Sequence, residues 1–514
     1  WHAPAGMLDS SLSSAGFAPY PPDASPFCPK YHPVHDGNVY DPSGPLQDKS
    51  GLWHTWEDDG QWSHWTSRDL VHWEGSFKES THFSADTGSV SPTPSGVYAF
   101  WPIMSGPGRG AIGSAKATDD SLTNWTQRGP TIPMPTRINT GYRDPVRAFS
   151  HGGKWWVGVG CGSKEEGAQF CLFEAATDEL LHFTDRGSLY TTNSTFGSVD
   201  ADIVWRPVNV SAHMMECPDL FPLGDKWVLL ASLYKTNQWW VGSLAGDPPR
   251  FRPEQVGVLD YGNGYAAKSG SAWVQSGGAR RLLFGFTGWQ EPTMPHGCGR
   301  ALVLPRELRV QGAELRLQPV PEAALLRAGP VVRSSGDDAP LAAGSQVEVR
   351  LLCTWAGGGR ARGGDRARGG GRATGGGARR AAGGPPSPGP PSPGPPSRGV
   401  TGIRTLASAD AAHYTELGYD WKAQAFYADH SRCCNTSRPI VQRAPLPLAM
   451  LGPVLNLTLY VDGGLLEAFL AGRVITPLVA PDVTAGGPPD ARVSSIVNTA
   501  PGVSCSAESW KLAY

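Results

Sequence analysis

Three acidic residues of the sequence lie in settings that suit acid–base or nucleophilic chemistry. Asp41 stands in GNVYDPSGPL, Asp144 in TGYRDPVRAF and Glu216 in HMMECPDLFPLG. Each acid has a nearby proline that fixes the backbone, at a point where an apolar run would leave a strand and enter a loop. Two carboxyl groups, one ionised and one protonated near neutral pH, are what glycoside hydrolysis requires. Taken singly, each acid is equally compatible with a turn, a surface ion pair or a strand end.

Short aromatic and β-branched runs, separated by Gly, Pro, Asn and Asp, must position these acids. Examples between residues 30 and 325 are SGVYAFWPI, KWWVGVG, KWVLLASLY and RRLLFGF. The pattern predicts strands, and 65 Gly, 47 Pro and 19 Trp favour an all-β fold over long helices. A propeller, a sandwich and a barrel all remain compatible with this pattern.

Residues 356–398 interrupt the strand pattern with a Gly/Arg-rich tract followed by PPSPGPPSPGPPSRG. This segment cannot bury apolar area, so we expect it to be disordered or polyproline-like. Its first half resembles RNA-binding tracts but contains no aromatic residue that could stack on bases. Its second half resembles wall-glycoprotein repeats, and a mistranslated intron is the alternative origin. Strand-like alternation then resumes in LNLTLYVDGGLLEAFLAG, which predicts a second all-β domain.

The predicted organisation has five parts. They are an N-terminal extension over 1–29, a first all-β domain over 30–325, a linker and the start of the second domain over 326–355, the insertion over 356–398, and the rest of the second domain over 399–514.

Composition argues against several classes of partner. A net charge of −2 with 18% charged residues provides no basic field for nucleic acid or an anionic membrane. The longest apolar stretch, LPLAMLGPVLNLTLYV, is interrupted and short for a membrane span. No Cys/His cluster has the spacing of a zinc site, so we expect no catalytic metal. A neutral small molecule is the partner that fits best.

Cysteines and glycosylation sequons bear on the compartment. The nine cysteines leave at least one thiol free, and Cys161 and Cys171 lie on two arms of an apparent hairpin where a disulfide is possible. The chain starts at Trp1, without an apolar signal segment, as a processed or truncated terminus would. Five N-x-S/T sequons favour a secreted or cell-wall protein, with the vacuole as the alternative; they begin at Asn124, Asn193, Asn209, Asn435 and Asn456.

The order of the acidic segments resembles glycoside hydrolase family 32, the invertases and fructan hydrolases. YDPSGPL is similar to the family's Asn-Asp-Pro-Asn-Gly segment, which carries the nucleophile. RDP at 143–145 and ECP at 216–218 reproduce the family's Arg-Asp-Pro and Glu-Cys acid/base motifs. Thr87, Gly88 and Ser89 resemble a further substrate-pocket motif, and YVDGGLLEAFLAGRVITPLVAP resembles strands of the C-terminal sandwich.

This resemblance implies an all-β fold, a five-bladed β-propeller with an axial site, followed by a C-terminal β-sandwich. It further implies a retaining mechanism on sucrose or short fructans without a cofactor. Asp41 would be the nucleophile, Glu216 the acid/base, and Asp144 the residue that holds sugar hydroxyls. Asp41 would have to stay ionised while burial and acidic neighbours raise the pKa of Glu216. Arg143 would bind substrate or one of these acids, a structural ion pair being the alternative.

Several residues depart from the family pattern around this site. Tyr40 and Ser43 replace two asparagines, and Met215 replaces a tryptophan. The segment WHTWEDDG places Glu57 or Asp58 near the position of a substrate-binding glutamine. We therefore expect a reshaped fructose subsite.

Four residues near this altered segment are candidate sugar contacts, with burial in the core as the alternative; they are Trp53, Trp56, Trp62 and His64. The main hypothesis is a secreted hydrolase of sucrose or short fructans. A fructosyltransferase that uses the same acids, a catalytically silent carbohydrate-binding protein and a wall-associated structural glycoprotein are the alternatives.

Overall fold

The structure is a computed structural model that describes most of the chain. The described residues are 20, 23–34, 39–58, 62–76, 86–192, 213–233, 237–271, 280–287, 297–355, 395–434, 441–481 and 483–514. They form seven antiparallel sheets. Most of the predicted extension over 1–29 and of the predicted disordered insertion over 356–398 lies outside the described residues.

Five sheets of four or five strands occupy the chain from Pro42 to Pro319. The first contains β1 (Pro42–Gln47), β2 (Trp53–Asp58), β3 (Trp62–Ser67) and β4 (Glu74–Ser76). The second contains β5 (Ser89–Thr93), β6 (Gly96–Pro102), β7 (Ile112–Ala117) and β8 (Trp125–Ile132). The third contains β9 (Gly141–Pro145), β10 (Phe149–His151), β11 (Lys154–Ser163), β12 (Gly167–Ala175) and β13 (Phe183–Thr191).

The last two of these sheets follow the same order. The fourth contains β14 (Glu216–Leu223), β15 (Lys226–Ser232), β16 (Asn237–Ala245) and β17 (Arg250–Val258). The fifth contains β18 (Gly264–Ser271), β19 (Arg281–Thr287), β20 (Arg306–Gln311) and β21 (Glu314–Pro319). The sheets meet in a closed ring, in which β1 contacts β5 and β18, β14 contacts β9 and β18, and β9 contacts β6 of the second sheet. The sheets are therefore the blades of a five-bladed propeller, as predicted.

Two further sheets form the C-terminal β-sandwich, which is also confirmed. One has the order β22-β32-β23-β28-β29-β30, and the other has the order β27-β26-β25-β24-β31. Their strands are β22 (Arg327–Ser335), β23 (Gln346–Trp355), β24 (Val400–Ala407), β25 (Tyr414–Asp420), β26 (Ala425–Arg432), β27 (Val441–Pro445), β28 (Leu455–Asp462), β29 (Leu465–Leu470), β30 (Arg473–Ile475), β31 (Val493–Asn498) and β32 (Val503–Leu512). Their inner faces bury one apolar core.

Helical segments in the described residues are short. They are the 3-10 helices Pro321–Leu326 and Pro489–Ala491 and the α-helices α1 (Leu448–Leu451) and α2 (Val483–Gly486). None of the helices in these ranges is long and apolar enough to span a membrane.

Four of the five inner strands are bulged at the same end. The pairing register shifts once along β1, β9, β14 and β18 where they meet their neighbours. At these shifts the backbone is left-handed, with φ of 60° at Gly44, 59° at Asp144, 45° at Cys217 and 49° at Ala266. A bulge leaves one residue out of the ladder and redirects its side chain. In β9 and β14 the bulges bring the Asp144 carboxylate to the N–H of Cys217, 2.8 Å away.

A buried network of charges joins the propeller to the sandwich. The Arg306 guanidinium lies 2.8 Å from Asp260 Oδ2 in the propeller and 2.7 Å from Glu467 Oε2 in the sandwich. His32 Nε2 lies 2.9 Å from Glu467, and His32 Nδ1 lies 2.9 Å from Asp462. Burial alone would lower the pKa of His32, but its hydrogen bonds to the two carboxylates raise it to about 9. The imidazole is therefore charged below that pH and holds the N-terminal segment on the sandwich.

Removing Glu467 should destabilise the fold strongly because two buried cations then lose their shared partner. We expect Glu467→Ala to lower the free energy of unfolding by about 3–5 kcal/mol in urea titrations followed by tryptophan fluorescence. Arg333→Ala is the control, because Arg333 forms an exposed pair with Glu508 at 2.9 Å. That variant should cost at most about 1 kcal/mol. Equal losses in both variants would contradict the role given to the network.

Candidate active site

The Asp41 carboxylate lies at the start of β1, where the chain enters the first blade. Its Oδ2 atom accepts hydrogen bonds from Thr87 Oγ1 at 2.5 Å and from Cys217 Sγ at 3.1 Å. The main-chain carbonyl of Asp41 accepts the N–H of Asp58 at 3.3 Å. Since both side-chain donors bind Oδ2, the Oδ1 atom is the one left to face a substrate.

Asp144 occupies the bulge of β9 and is almost fully buried. Its Oδ2 accepts the N–H of Cys217 at 2.8 Å, which ties the third blade to the fourth. Its Oδ1 lies 3.7 Å from Arg143 Nε but has no hydrogen-bond partner among the described residues. A buried carboxylate oxygen without a hydrogen bond costs free energy unless a ligand or a water molecule donates one to it. Hydroxyl groups of a sugar would satisfy it.

Glu216 opens β14 and is held from two sides. Arg143 Nη2 donates to Oε1 at 2.5 Å, and the Tyr265 hydroxyl donates to Oε2 at 2.7 Å. The Glu216 side chain retains 20% exposure, whereas that of Asp144 retains 1%. Solvent therefore reaches the Glu216 carboxyl group, whereas Asp144 is shielded from it. This placement suits a group that exchanges protons with substrate and water.

Burial dominates the electrostatics of the other two acids. It raises the pKa of Asp41 to about 6, against the opposing hydrogen bonds from Thr87 and Cys217. It likewise raises the pKa of Asp144 to about 7, although the positive charge of Arg143 opposes the shift. The pKa of Arg143 is raised because nearby Asp144 and Glu216 outweigh its own burial. Above pH 6, Asp41 is therefore mostly ionised, as a nucleophile has to be.

The predicted pocket motif lies against Asp41. Thr87 supplies the hydroxyl described above, and the Gly88 N–H donates to Ser43 Oγ at 3.0 Å. Gly88 is required by space, because a Cβ there would lie 2.2 Å from the Phe100 carbonyl oxygen. Ser89 is buried at the start of β5, and its hydroxyl has no hydrogen-bond partner among the described residues. The motif therefore positions the Asp41 carboxylate.

The four aromatic sugar contacts suggested from sequence are instead core residues, with relative exposures of 0–6%. Trp53 packs with Phe284 in the core between the first and fifth blades. Trp56 packs with Trp62 in a cluster shared by the first and second blades. His64 stacks on Trp56, and burial lowers its pKa to about 3, so it stays neutral. The strand period puts these side chains on blade faces, which adjacent blades cover.

The structure also distinguishes the two acids of the altered segment. Glu57 is fully buried and accepts the indole N–H of Trp65 at 2.6 Å, so it belongs to the blade core. Asp58 is the one joined to Asp41, through the main-chain bond described above. Met215, at the position of a family tryptophan, is buried in an apolar cluster. The Arg300 guanidinium lies over the Tyr40 ring, 4.8 Å from the centroid of that ring.

Two site residues escape sequence reasoning. Tyr265 stands in DYGNGYAAKS, which resembles a segment of the family. The spacing of this segment does not indicate that the Tyr265 hydroxyl reaches Glu216. Asp86 immediately precedes Thr87, and its charge contributes to the raised pKa values of Asp41 and Asp144. An acid in the run SADTGS is typical of a turn. The only indication that Asp86 belongs to the site is therefore its position next to the pocket motif.

Comparisons with protein families bear directly on this arrangement. The model described as "Glycosyl hydrolases family 32 N-terminal domain" matches residues 41–319, and "Glycosyl hydrolases family 32 C terminal" matches residues 330–509. The chain belongs to glycosyl hydrolase family 32. Both matched regions coincide with the propeller and the sandwich seen in the structure.

Individual family 32 proteins are similar at lower identity. Sucrose-6-phosphate hydrolase of Salmonella typhimurium is 26% identical over 308 residues, which is 55% of this chain and 62% of that protein. The match thus spans less than two thirds of that relative's length. Fructan 1-exohydrolase IIa of Cichorium intybus has a TM-score of 0.70 at 18% identity, over 95% of this chain and 98% of its own. A fructosyltransferase of A. japonicus has a TM-score of 0.70 at 15% identity, over 97% and 96%. These two structures show the shared fold.

Disulfides occur in both the propeller and the sandwich. No group of His, Cys, Asp and Glu in the described ranges could hold a metal ion. Eight cysteines pair as Cys28–Cys298, Cys161–Cys171, Cys353–Cys505 and Cys433–Cys434. The hairpin disulfide that the sequence allows, Cys161–Cys171, is among them. Cys217 is the free thiol, and burial raises its pKa well above the ordinary value.

Alkylation should reveal this pattern directly. In the native protein iodoacetamide should leave Cys217 unmodified, because the thiol is buried and protonated. Denaturation without reductant should expose one reactive thiol per chain, and reduction should expose all nine cysteines. Intact mass spectrometry counts the added groups. Rapid labelling of the native protein, or more than one thiol after denaturation, would contradict the assignment.

Proposed function

We propose that this chain is a retaining β-fructofuranosidase that hydrolyses sucrose or short fructans. The observation that carries the proposal is the convergence of Asp41, Asp144 and Glu216 from three inner strands onto one axial site. Family 32 membership supports glycosidase chemistry, and the arrangement of donors gives each acid a separate role. The substrate and the retaining mechanism are part of the proposal.

In the first step Asp41 Oδ1 attacks the anomeric carbon of the fructosyl unit. Thr87 and Cys217 hold the other carboxylate oxygen, so the attacking atom is oriented before substrate arrives. Glu216 protonates the departing glycosidic oxygen, which leaves a fructosyl ester on Asp41. In the second step Glu216 removes a proton from water, and that water breaks the ester.

Three neighbours support this sequence of steps. Arg143 and Tyr265 keep the Glu216 carboxyl group in one orientation while its proton moves on and off. Asp144 Oδ1 would accept hydroxyl groups of the fructosyl ring and favour the positively charged transition state. The net reaction adds water across one glycosidic bond and consumes no cofactor.

Extracellular location remains part of the proposal. Four disulfides favour folding in an oxidising compartment, and reduced cytosolic proteins rarely keep such bonds. Asn124 and Asn456 of the predicted sequons are exposed, while Asn193, Asn209 and Asn435 lie outside the described residues. An association with the cell wall would concern the insertion and is testable only with the full chain.

The two-carboxyl mechanism makes distinct predictions for its two acids. Asp41→Ala and Glu216→Ala should each lower fructose release from sucrose by several orders of magnitude. Azide should restore turnover of Glu216→Ala on a substrate with a good leaving group and yield a fructosyl azide of retained configuration. It should not restore that product in Asp41→Ala, which cannot form the ester.

Asp120→Ala, an exposed change in a β7–β8 loop, is the control and should keep full activity. Product analysis at high sucrose distinguishes hydrolysis from fructosyl transfer. Sugar binding without any turnover in the folded wild-type protein would support the silent binding protein instead.

Thr87 should control the pH at which Asp41 becomes active. Because its hydroxyl lowers the pKa of Asp41 against the effect of burial, Thr87→Val should raise that pKa above about 6. A nucleophile must be ionised, so the acid limb of the kcat/KM profile should move to higher pH. Thr87→Ser keeps the hydroxyl and should leave the limb in place. An unchanged limb in Thr87→Val would refute this role.

A further inference from the structure

A fourth acid lies next to the nucleophile, and the two-step mechanism does not use it. Asp86 immediately precedes Thr87, whose hydroxyl is 2.5 Å from Asp41 Oδ2. The buried Trp62 indole N–H donates to the Asp86 carbonyl oxygen at 3.1 Å, and the Thr87 N–H donates to Asp86 Oδ1 at 3.2 Å. Two contacts thus fix the backbone and the carboxylate of Asp86 beside the site.

The Asp86 side chain remains partly exposed, unlike Thr87. Its negative charge acts on Asp41, on Arg143 and on Asp144 alike. Because Asp86 directly precedes Thr87, whose hydroxyl binds Asp41, its partly exposed carboxylate borders the space beside the nucleophile. That space is where the fructosyl unit has to bind for Asp41 to reach it.

Carboxyl groups outnumber cations around this space, where the buried Lys268 also acts on Asp144. Four carboxyl groups, those of Asp41, Asp86, Asp144 and Glu216, belong to it in the described part of the chain. Arg143 is paired with Glu216, and Arg300 lies over Tyr40 at the entrance to β1. A carboxylate accepts hydrogen bonds from neutral hydroxyl groups but repels a phosphate dianion.

We propose that Asp86 is a specificity-determining residue, whose carboxylate binds hydroxyl groups of an unphosphorylated fructoside and disfavours a phosphorylated one. The inference rests on the proposed function and names its substrate class. Because Asp86 lies beside the nucleophile, a phosphate on the fructose unit should be disfavoured more than one on the glucose unit.

The test compares kcat/KM for sucrose, for sucrose 6-phosphate and for sucrose 6′-phosphate, which carries its phosphate on fructose. The wild-type enzyme should prefer sucrose over both. Asp86→Asn should reduce the preference over the 6′-phosphate by about tenfold and the preference over the 6-phosphate by less. Raising salt to about 0.5 M should narrow the wild-type preference more than that of the variant, since salt screens the extra charge of Asp86.

Asp120→Asn is the matched control, since it removes a negative charge of the same blade far from the inner strand and should leave all ratios unchanged. If Asp86→Asn does not fold by circular dichroism, Asp86→Ser replaces it. Inhibition of the wild-type enzyme by fructose 6-phosphate and by fructose needs no variant, and fructose should bind more tightly.

The outcomes separate the two proposals. Equal wild-type rates on sucrose and its phosphates, or parallel losses on all substrates in Asp86→Asn, would overturn the role of Asp86 while leaving the fructosidase intact. Tighter inhibition by fructose 6-phosphate than by fructose would do the same. No cleavage of any of the three sugars by folded wild-type protein would instead remove the proposed function.

Discussion

The site depends on bulged inner strands that close into a ring. A regular strand would send successive side chains onto the two faces of a blade, where the neighbouring blades cover them. Bulges in β1, β9, β14 and β18 break that alternation near the strand ends where the site residues lie. Left-handed backbone at Asp144 and Cys217 is unfavourable for residues other than glycine. The packed ring around them holds them in this conformation.

Cys217 illustrates how closely the blades are coupled at this point. Its N–H binds Asp144 of the third blade, its thiol binds Asp41 of the first, and the preceding residue is Glu216 of the fourth. One dipeptide therefore sets the relative positions of all three acids. A small side chain that can donate weakly to a carboxylate fits this place without adding a charge. The burial that results raises the pKa values of Asp41 and Asp144.

The buried charge network between the domains has a separate, structural role. Arg306, His32, Asp260, Asp462 and Glu467 are nearly or fully excluded from solvent, so each requires partners of opposite charge. The N-terminal segment is also tied by the Cys28–Cys298 disulfide. This segment leads toward Asp41, so the sandwich helps to fix the position at which the first blade begins. The sandwich thus supports a site to which it supplies none of the acids.

The sequence by itself determined the all-β class and the acids of the site. These features are local, because strand period, turn residues and short motifs such as Arg143-Asp144-Pro145 are written in adjacent residues. Together with the family resemblance they predicted the five-bladed propeller and the sandwich, and they allowed the hairpin disulfide Cys161–Cys171. Only the tertiary structure decided which aromatic residues are buried between blades, and it placed Trp53, Trp56, Trp62 and His64 in the core. It also brought Tyr265 to Glu216 and Asp86 to the space beside Asp41, across separations for which sequence spacing has no signal. Burial and the approach of distant charges are properties of the closed ring, so they arise only when every blade is in place.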